Sequence, residues 1–326
     1  MKKIIAAMLI TTAAMTAAIT AAAEENSTAC IGYVLYTGSV IADVNGITQQ
    51  TQGAVIVKPD GTTETVATIH DRGALLGSVV TVTPSDFGAT LSSPAPAKAV
   101  TGTVNAAAKT IGTASAADGI KIIDIAAQPF QGSRDYAIID LDRIDGLTLD
   151  SSDIKYCKTD AAGRISELYL NDVTGDAYTY GIVDKIDTRA TEMTVFADGG
   201  IWRSDIVSPT ATRYSAVRMS KDYSYDIDMD AREGNLIYHD DEYYQFSAVA
   251  SLYSYGSASS VANETAVIGA NSYKLSDDVS VYYMENMQYV QTSLESVSNE
   301  NFKLTCYYDK SESEGGRIRV IVAERK

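Results

Sequence analysis

The chain of 326 residues has few of the side chains on which many enzymes and disulfide-stabilised proteins depend. Its three cysteines, Cys30, Cys157 and Cys306, cannot all pair within one chain, so they exclude a disulfide framework. Only two histidines are present and no G-x-S-x-G motif occurs, which argues against a hydrolytic triad. The sequence therefore predicts no catalytic residue and no enzymatic role.

Basic residues are also scarce, because 26 Lys and Arg stand against 42 Asp and Glu, a net charge of −16. The charge becomes still more negative if Lys2 and Lys3 are removed with an amino-terminal leader. Phosphate binding relies on Lys and Arg, so this balance excludes nucleic acid as a partner. It suits a solvated surface among divalent cations or cationic polymers.

Long apolar runs are confined to the amino terminus, where MKK precedes an Ala-rich segment at 4–19. Small residues at Ala21 and Ala23, followed by the acidic EEN, predict a signal peptide of residues 1–23. The alternatives are a membrane anchor, for which the run is shorter than roughly 20 residues, and a lipoprotein, for which Cys30 stands too far from the cleavage site. We expect a secreted chain associated with the cell surface, without membrane insertion after cleavage.

Sustained helical periodicity is absent too, and short strand-like runs alternate with turns instead. In AVIVKPDGTTETVAT, for example, Pro-Asp-Gly reverses the chain between two β-branched runs. Such strands, recurring about every 8 to 12 residues, are typical of sandwiches and small barrels. The fold is therefore predicted to be all-β, built of tandem small β-barrel-like or β-sandwich-like modules.

A duplicated unit is predicted to organise these strands. GRISELYL at 163–170 is matched by GRIRVIVA at 316–323, and each follows a polar turn and a strand-like run with a cysteine. Three further pairs keep the same order: GYVLYTGSV with GIVDKIDTR (Gly32 and Gly181), VVTVTPSDFGATL with YDIDMDAREGNLI (Gly88 and Gly234), and IKIIDI with VSVYYM (Ile120 and Val279). Their nearly constant spacing predicts two related halves of about 150 residues, with generic β-rich composition as the alternative.

The predicted boundaries follow from this repeat. The first β unit covers 24–177 and the second covers 178–326, with a joint between two subdomains of the first unit near 92–99. A plain surface loop is the alternative at that joint. Equivalent strands would place Cys157 and Cys306 at the same point of separate modules, as small core residues and not as partners.

Two stretches carry a resemblance to known proteins. DIKYCKTDAAGRISELYLNDVTGDAYTYG (153–181) and YYDKSESEGGRIRVIVA (307–323) resemble the tandem β-regions of clostridial cell-surface proteins that carry S-layer-homology domains. The resemblance implies a non-catalytic wall or S-layer component of a Gram-positive anaerobe. Its partners would be cell-wall polymer, a glycan or another envelope protein. No S-layer-homology motif is found here, so the resemblance supplies no recognised wall anchor.

The densest group of acids lies in DYSYDIDMDAREGN at 222–235. Its candidate ligands for a structural calcium ion are Asp226, Asp228, Asp230 and Glu233. Calcium prefers several oxygen ligands, and alternate residues of a strand share one face. Ala231 and Leu236 occupy the glycine and glutamate positions of the standard calcium loop, which rules that loop out. A solvated edge strand, whose charges deter aggregation, is the alternative.

Tyrosine is abundant, and sixteen of the 21 tyrosines fall at or after Tyr178. Trp202, Tyr243 and Tyr244 are the candidate ligands for a glycan, because aromatic rings offer an apolar face and a polar rim. Aromatic residues also fill strand cores, which is the alternative for each.

Three classes of function follow from these patterns. A structural or adhesive cell-envelope protein is favoured, and an extracellular glycan-binding module using Trp202 and the tyrosine-rich second half is the alternative. A secreted enzyme would need converging acid, base or metal-binding residues that no pattern here supplies.

Overall fold

The computed structural model describes residues 29–70, 73–95, 100–126, 135–187, 192–204, 211–221, 229–230, 235–236, 243–262, 264–285, 288–297 and 299–326. The predicted signal peptide lies outside these residues. The chain divides into two compact units. Unit 1 comprises the described residues up to 58 and 62–95, and unit 2 comprises 59–61 and those from 100 onward.

Unit 1 is one antiparallel five-stranded sheet. Its strands are β1 (Cys30–Val44), β2 (Ile47–Val57), β3 (Thr63–Ala67), β4 (Val79–Ser85) and β5 (Gly88–Ser92), with a 3-10 turn at Gly73–Leu75. They run in the order β3-β2-β1-β4-β5. Alternate apolar residues such as Val34, Ile56 and Val80 form the core, as the period of two requires. The sheet curls so that a Cβ on Gly88 would collide with the carbonyl oxygen of Ala67 on β3.

Unit 2 begins with the first seven-stranded sheet. Its strands are β6 (Gly102–Asn105), β7 (Thr110–Ile111), β8 (Ala114–Ile125), β9 (Tyr136–Ile139), β10 (Thr148–Leu149), β11 (Ile154–Thr159) and β12 (Ile165–Asn171), with a 3-10 turn at Leu141–Ile144. The order is β10-β6-β7-β8-β12-β11, and β9 also pairs with the long β8. β8 and β12 are parallel, and their apolar residues Ile122 and Leu168 pack in the core of this sheet.

A closed barrel follows in the chain. Its elements are β13 (Thr179–Asp187), β14 (Glu192–Ala197), β15 (Gly200–Ser204), β16 (Ala216–Lys221), the short ribbon of β17 (Met229–Asp230) and β18 (Asn235–Leu236), and β19 (Tyr243–Ser251). The barrel order is β13-β14-β15-β19-β16, closed by the parallel pair β15 and β19. Gly181 has no room for a side chain, since a Cβ there would lie 2.5 Å from the carbonyl oxygen of Phe196.

The second seven-stranded sheet completes unit 2. Its strands are β20 (Tyr253–Ala258), β21 (Ser260–Ala262), β22 (Thr265–Ile268), β23 (Asn271–Glu285), β24 (Gln288–Thr292), β25 (Phe302–Tyr308) and β26 (Ile318–Arg325), with 3-10 turns at Leu294–Ser296 and Glu312–Glu314. The order is β20-β25-β26-β23-β22-β21, and β24 also pairs with β23.

The strand order and register confirm the predicted all-β fold in two related halves. The five-stranded sheet and the barrel share one order, since β3-β2-β1-β4-β5 corresponds to β15-β14-β13-β16-β19. Both seven-stranded sheets place the last strand of the half parallel to a long strand, and both registers shift at the same rung. The matching pairs are Ala116–Ile165 and Leu275–Ile318 before the shift, and Ile122–Leu168 and Val281–Ile321 after it.

The two strand cysteines are equivalent, as the repeat predicted. Cys157 lies opposite Leu168 and Cys306 lies opposite Ile321, which are themselves matching positions of the two halves. Both thiols are buried and free of disulfide bonds, so they are small core residues of separate sheets. Burial raises the pKa of Cys157 to about 11 and that of Cys306 to about 12.

One predicted landmark is wrong. β4 corresponds to β16, because Val80 pairs with Gly32 and Val217 pairs with the matching Gly181. Gly234 therefore does not correspond to Gly88. The acidic stretch belongs to an extra segment of the chain between β16 and β19. Glycine-containing hairpins are common, so the pattern could not distinguish a repeated hairpin from an inserted one.

The predicted boundaries fall between strands. The joint expected near 92–99 lies where unit 1 gives way to unit 2, after β5. The boundary between 177 and 178 lies inside unit 2, in the connection from β12 to β13.

Candidate functional site

The segment 172–180 leads from the last strand of the first half into the barrel, and Asp124 at the end of β8 holds its beginning. The carboxylate accepts hydrogen bonds from the backbone N–H of Val173 (2.9 Å), the backbone N–H of Thr174 (2.6 Å) and the Thr174 hydroxyl (2.5 Å). Burial raises the pKa of Asp124 above its ordinary value, although these hydrogen bonds oppose the shift. The connection is thus fixed by a carboxylate that solvent does not reach.

Asp176, in the middle of the segment, joins the two seven-stranded sheets. Arg143 of the first sheet donates to both of its oxygens, at 2.6 and 3.0 Å, and Arg319 of β26 donates at 2.7 Å. Arg143 also donates to the carbonyl oxygens of Thr174 and Gly315. Burial alone would raise the pKa of Asp176, but the two guanidinium groups hold it below its ordinary value.

Arg319 is the most enclosed cation of this site, with 2% of its side chain exposed. Besides Asp176 it donates to the Ser276 hydroxyl at 2.9 Å and to the carbonyl oxygen of Thr174. Its Nε lies 3.5 Å from Asp309 Oδ1, an ion pair without a hydrogen bond, and its guanidinium lies 4.9 Å from the Tyr180 ring centroid. The Tyr180 hydroxyl lies 2.7 Å from Asp309 Oδ2.

Asp172, where β12 ends, makes a second set of contacts. Lys310 donates to its carboxylate at 3.1 Å and also to its carbonyl oxygen. Arg218 of the barrel lies 3.9 Å from the same carboxylate, and its guanidinium stacks over Tyr178 at 4.7 Å from the ring centroid. The segment is therefore held by cations from the barrel and the second sheet together.

We call these groups the junction network. Its carboxylates are Asp124, Asp172, Asp176 and Asp309, and its cations are Arg143, Arg218, Lys310 and Arg319. Asp172, Asp176 and Asp309 lie against the cations, whereas Asp124 is held by two backbone N–H groups and a hydroxyl. An enclosed network that is ion-paired and hydrogen-bonded in this way fixes one arrangement of the elements that supply its members.

A cleft of about 430 Å³ opens above the network. It is lined by Ala137, Ile138, Ile139, Asp140, Asp142, Arg143, Asp176, Tyr178, Tyr180, Ser276, Asp277, Asp278, Arg317 and Arg319. The guanidinium groups on its floor already bond Asp176, and Arg317 bonds Asp277 at 2.8 Å. Among the described residues that line the cleft there is no histidine or cysteine. Arg143 and Arg319 on its floor are already hydrogen-bonded to Asp176, so this floor belongs to the junction network.

The predicted calcium ligands fall mainly outside the described residues. Asp226, Asp228 and Glu233 lie there, and only the backbone of Asp230 is described, paired with Asn235 in the β17–β18 ribbon. Within the described ranges, no group of three or more His, Cys, Asp and Glu side chains is arranged to hold a metal ion.

The predicted glycan ligands do not form one exposed surface in the described part of the structure. Trp202 is 4% exposed, packs with Val195 and Met219 in the barrel core, and donates from its indole N–H to the carbonyl oxygen of Ala197 at 3.1 Å. The core alternative therefore holds for Trp202, which has no face left for a sugar. Tyr243 and Tyr244 lie in β19 beside β15, and the structure describes their backbone only.

Sequence reasoning missed the junction network. Its members come from positions between 124 and 319, and none of them forms a recognised motif. One feature of the sequence pointed to the network. Arg319 interrupts the apolar run of β26, and the corresponding residue of the first half is Ser166. A charged residue within a core strand requires a buried partner.

In the described part of the chain, no helix has the length and apolar character needed to cross a bilayer. No protein-family model, curated protein or solved structure matches the chain.

Proposed function

We propose that this chain is a non-catalytic structural or adhesive protein of the bacterial cell envelope. The observation that carries the proposal is the junction network, because it ties three consecutive β-modules of unit 2 to one connecting segment. A protein that spaces or bridges envelope components needs modules that keep their arrangement, whereas an enzyme needs a reactive group within reach of a substrate.

The sequence supports the same proposal from another side. The amino-terminal pattern indicates export through a signal peptide, and the two GRI-containing stretches resemble regions of clostridial S-layer-homology proteins. The partner would be cell-wall polymer, a glycan or another envelope protein, and the chain would act outside the cell. Structural calcium, from the acidic segment at 226–233, remains part of the proposal.

Co-sedimentation with purified Gram-positive sacculi tests the proposal directly. The purified chain from Glu24 is mixed with sacculi in calcium and, separately, in EDTA, and an unrelated acidic protein of similar charge serves as the control. We expect the chain to pellet with the sacculi and the control protein to stay in the supernatant. Loss in EDTA would direct mutagenesis to Asp226, Asp228 and Asp230, whereas no pelleting in either buffer would refute attachment to the wall.

A further inference from the structure

Four tyrosine rings form a continuous row on the second seven-stranded sheet. Tyr255 of β20 stacks between Tyr273 and Tyr308, with ring centroids 4.0 and 3.7 Å apart and interplanar angles of 25° and 13°. Tyr253 contacts Tyr308 as well, with ring centroids 5.7 Å apart and an interplanar angle of 39°. Tyr253 is 65% exposed, whereas the other three rings are half-buried. The row therefore supports one ring that projects into solvent.

The first half shows that the fold does not require this row. Tyr308 lies opposite Ile318, and the matching pair in the first half is Thr159 with Ile165. By the register of the long strands, Tyr273 corresponds to Ala114. At these two positions the first-half sheet thus has a threonine and an alanine, and within the described residues no strand pairs with β11 in the way that β20 pairs with β25. Side chains that the architecture can omit, and that leave an aromatic face in water, indicate binding.

The position of Tyr253 favours a flat, uncharged ligand. Within the described residues β20 is an edge strand, and Tyr255 forms a bulge in its pairing with β25. A bulged edge is a poor template for an added peptide strand. The net charge of −16 disfavours polyanions such as nucleic acid or phosphate polymers. The apolar face of a sugar ring needs neither a regular strand edge nor a positive surface.

The polar rim of the row is suited to the same ligand. Burial raises the pKa of the Tyr255 hydroxyl to about 12, and the neighbouring Tyr308 and Glu312 add to the shift. Tyr255 is therefore a protonated hydrogen-bond donor at neutral pH. Asn271 donates to the Tyr273 hydroxyl at 3.3 Å, so a polar amide also lies beside the row.

We propose that Tyr253, supported by the row of Tyr308, Tyr255 and Tyr273, is a binding platform for an uncharged sugar residue of a glycan chain. This site deepens the proposed function, and it rests on that function only for the choice of wall glycan as the source. It also moves the glycan-binding surface away from Trp202, which is buried.

Titration calorimetry with a soluble N-acetylglucosamine oligosaccharide tests the platform. The purified chain from Glu24 is compared with the Tyr253→Ala and Tyr253→Phe variants. The alanine variant is expected to bind about two- to tenfold more weakly, the range that a lost aromatic contact produces. The phenylalanine variant keeps the ring and should bind as the unmodified chain does. Because the side chain of Tyr253 is mostly exposed, its removal should leave the fold intact, and unchanged Trp202 fluorescence checks this.

A second variant and a second probe sharpen the result. Tyr255→Ala removes the ring on which the row depends, so it should also weaken oligosaccharide binding while Tyr253 is still present. Inorganic polyphosphate should not compete. Absence of oligosaccharide binding, equal binding by Tyr253→Ala, or competition by polyphosphate would overturn the platform. If Tyr253→Ala still pellets with sacculi, failure of the platform leaves the proposed envelope function standing.

Discussion

Replacing Arg319 with methionine should destabilise unit 2 far more than replacing Arg317, which lies two residues earlier. Methionine fills much of the same volume but removes the guanidinium that faces Asp176 and Asp309. Asp176 keeps its two hydrogen bonds from Arg143. Asp309, whose side chain is 0% exposed, is left with an uncompensated charge. Arg319→Met therefore acts mainly by leaving the buried Asp309 carboxylate without its cation.

The magnitude follows from that arrangement. Removing one partner of a buried ion pair costs about 3–5 kcal/mol, and the lower end applies because Asp176 remains paired. For about 3 kcal/mol, the melting temperature should fall by roughly 6–12 °C. Arg317→Met is the matched control, since its partner Asp277 is 79% exposed and water can solvate the released carboxylate. That control should cost no more than about 1 kcal/mol.

Thermal unfolding followed by Trp202 fluorescence is the suitable assay. Trp202 is the one tryptophan of the chain and lies buried in the barrel, so its emission reports on unit 2. Arg319→Met combined with Asp309→Asn should recover part of the loss, because the stranded charge is then removed as well. Equal melting temperatures for Arg319→Met and Arg317→Met would refute the reasoning that the junction network stabilises this unit.

Three further predictions concern neighbouring features. Gly175→Ala should destabilise more than Gly146→Ala in urea unfolding, since both residues have positive φ but only at Gly175 would a Cβ strike the Asp309 carboxylate. In a Cys30→Ser variant, Cys157 and Cys306 should react with a thiol reagent at pH 8 only after unfolding, because burial raises both thiol pKa values; rapid reaction of that variant in its native state would contradict this. The unmodified chain should have a larger free energy of unfolding than Asp176→Asn, because the pKa of Asp176 is lower in the folded than in the unfolded state. This difference should have its full size above about pH 4 and disappear in more acidic solution. A difference that is unchanged at acid pH would argue against an ionised Asp176.

Local patterns predicted the strands and the repeat because both depend on neighbours in sequence. Alternation and turn residues indicated an all-β chain, and the GRI hairpins and their cysteines indicated equivalent strands, which the register confirms. The parallel pairing of β8 with β12 was not predictable in this way, because its partners are joined by a long connection and share no local signal.

The candidate site was less accessible to sequence reasoning. Ile201, Trp202 and Arg203 follow one another in β15, and the structure turns Trp202 inward while Ile201 is 36% exposed. Because Ile201 and Trp202 are adjacent and both apolar, the sequence does not determine which of them faces the core. A shift of the strand register by one residue would move each side chain to the opposite face. The junction network required even more, since its ion pairs join residues that the chain brings together only when the sheets have formed.

The extra segment between β16 and β19 shows where this fold accepts an insertion. In unit 1 the β4–β5 hairpin turns at residues 86–87, whereas the matching β16 and β19 are joined through residues 222–242. The flanking strands still pair in the corresponding order, and closing a longer loop adds little entropy cost. The turn after Ser85, where Phe87 is 57% exposed, is thus a natural graft point. An epitope or reporter peptide inserted there should leave the β4–β5 pairing intact, just as β16 and β19 still pair across the longer connection between them.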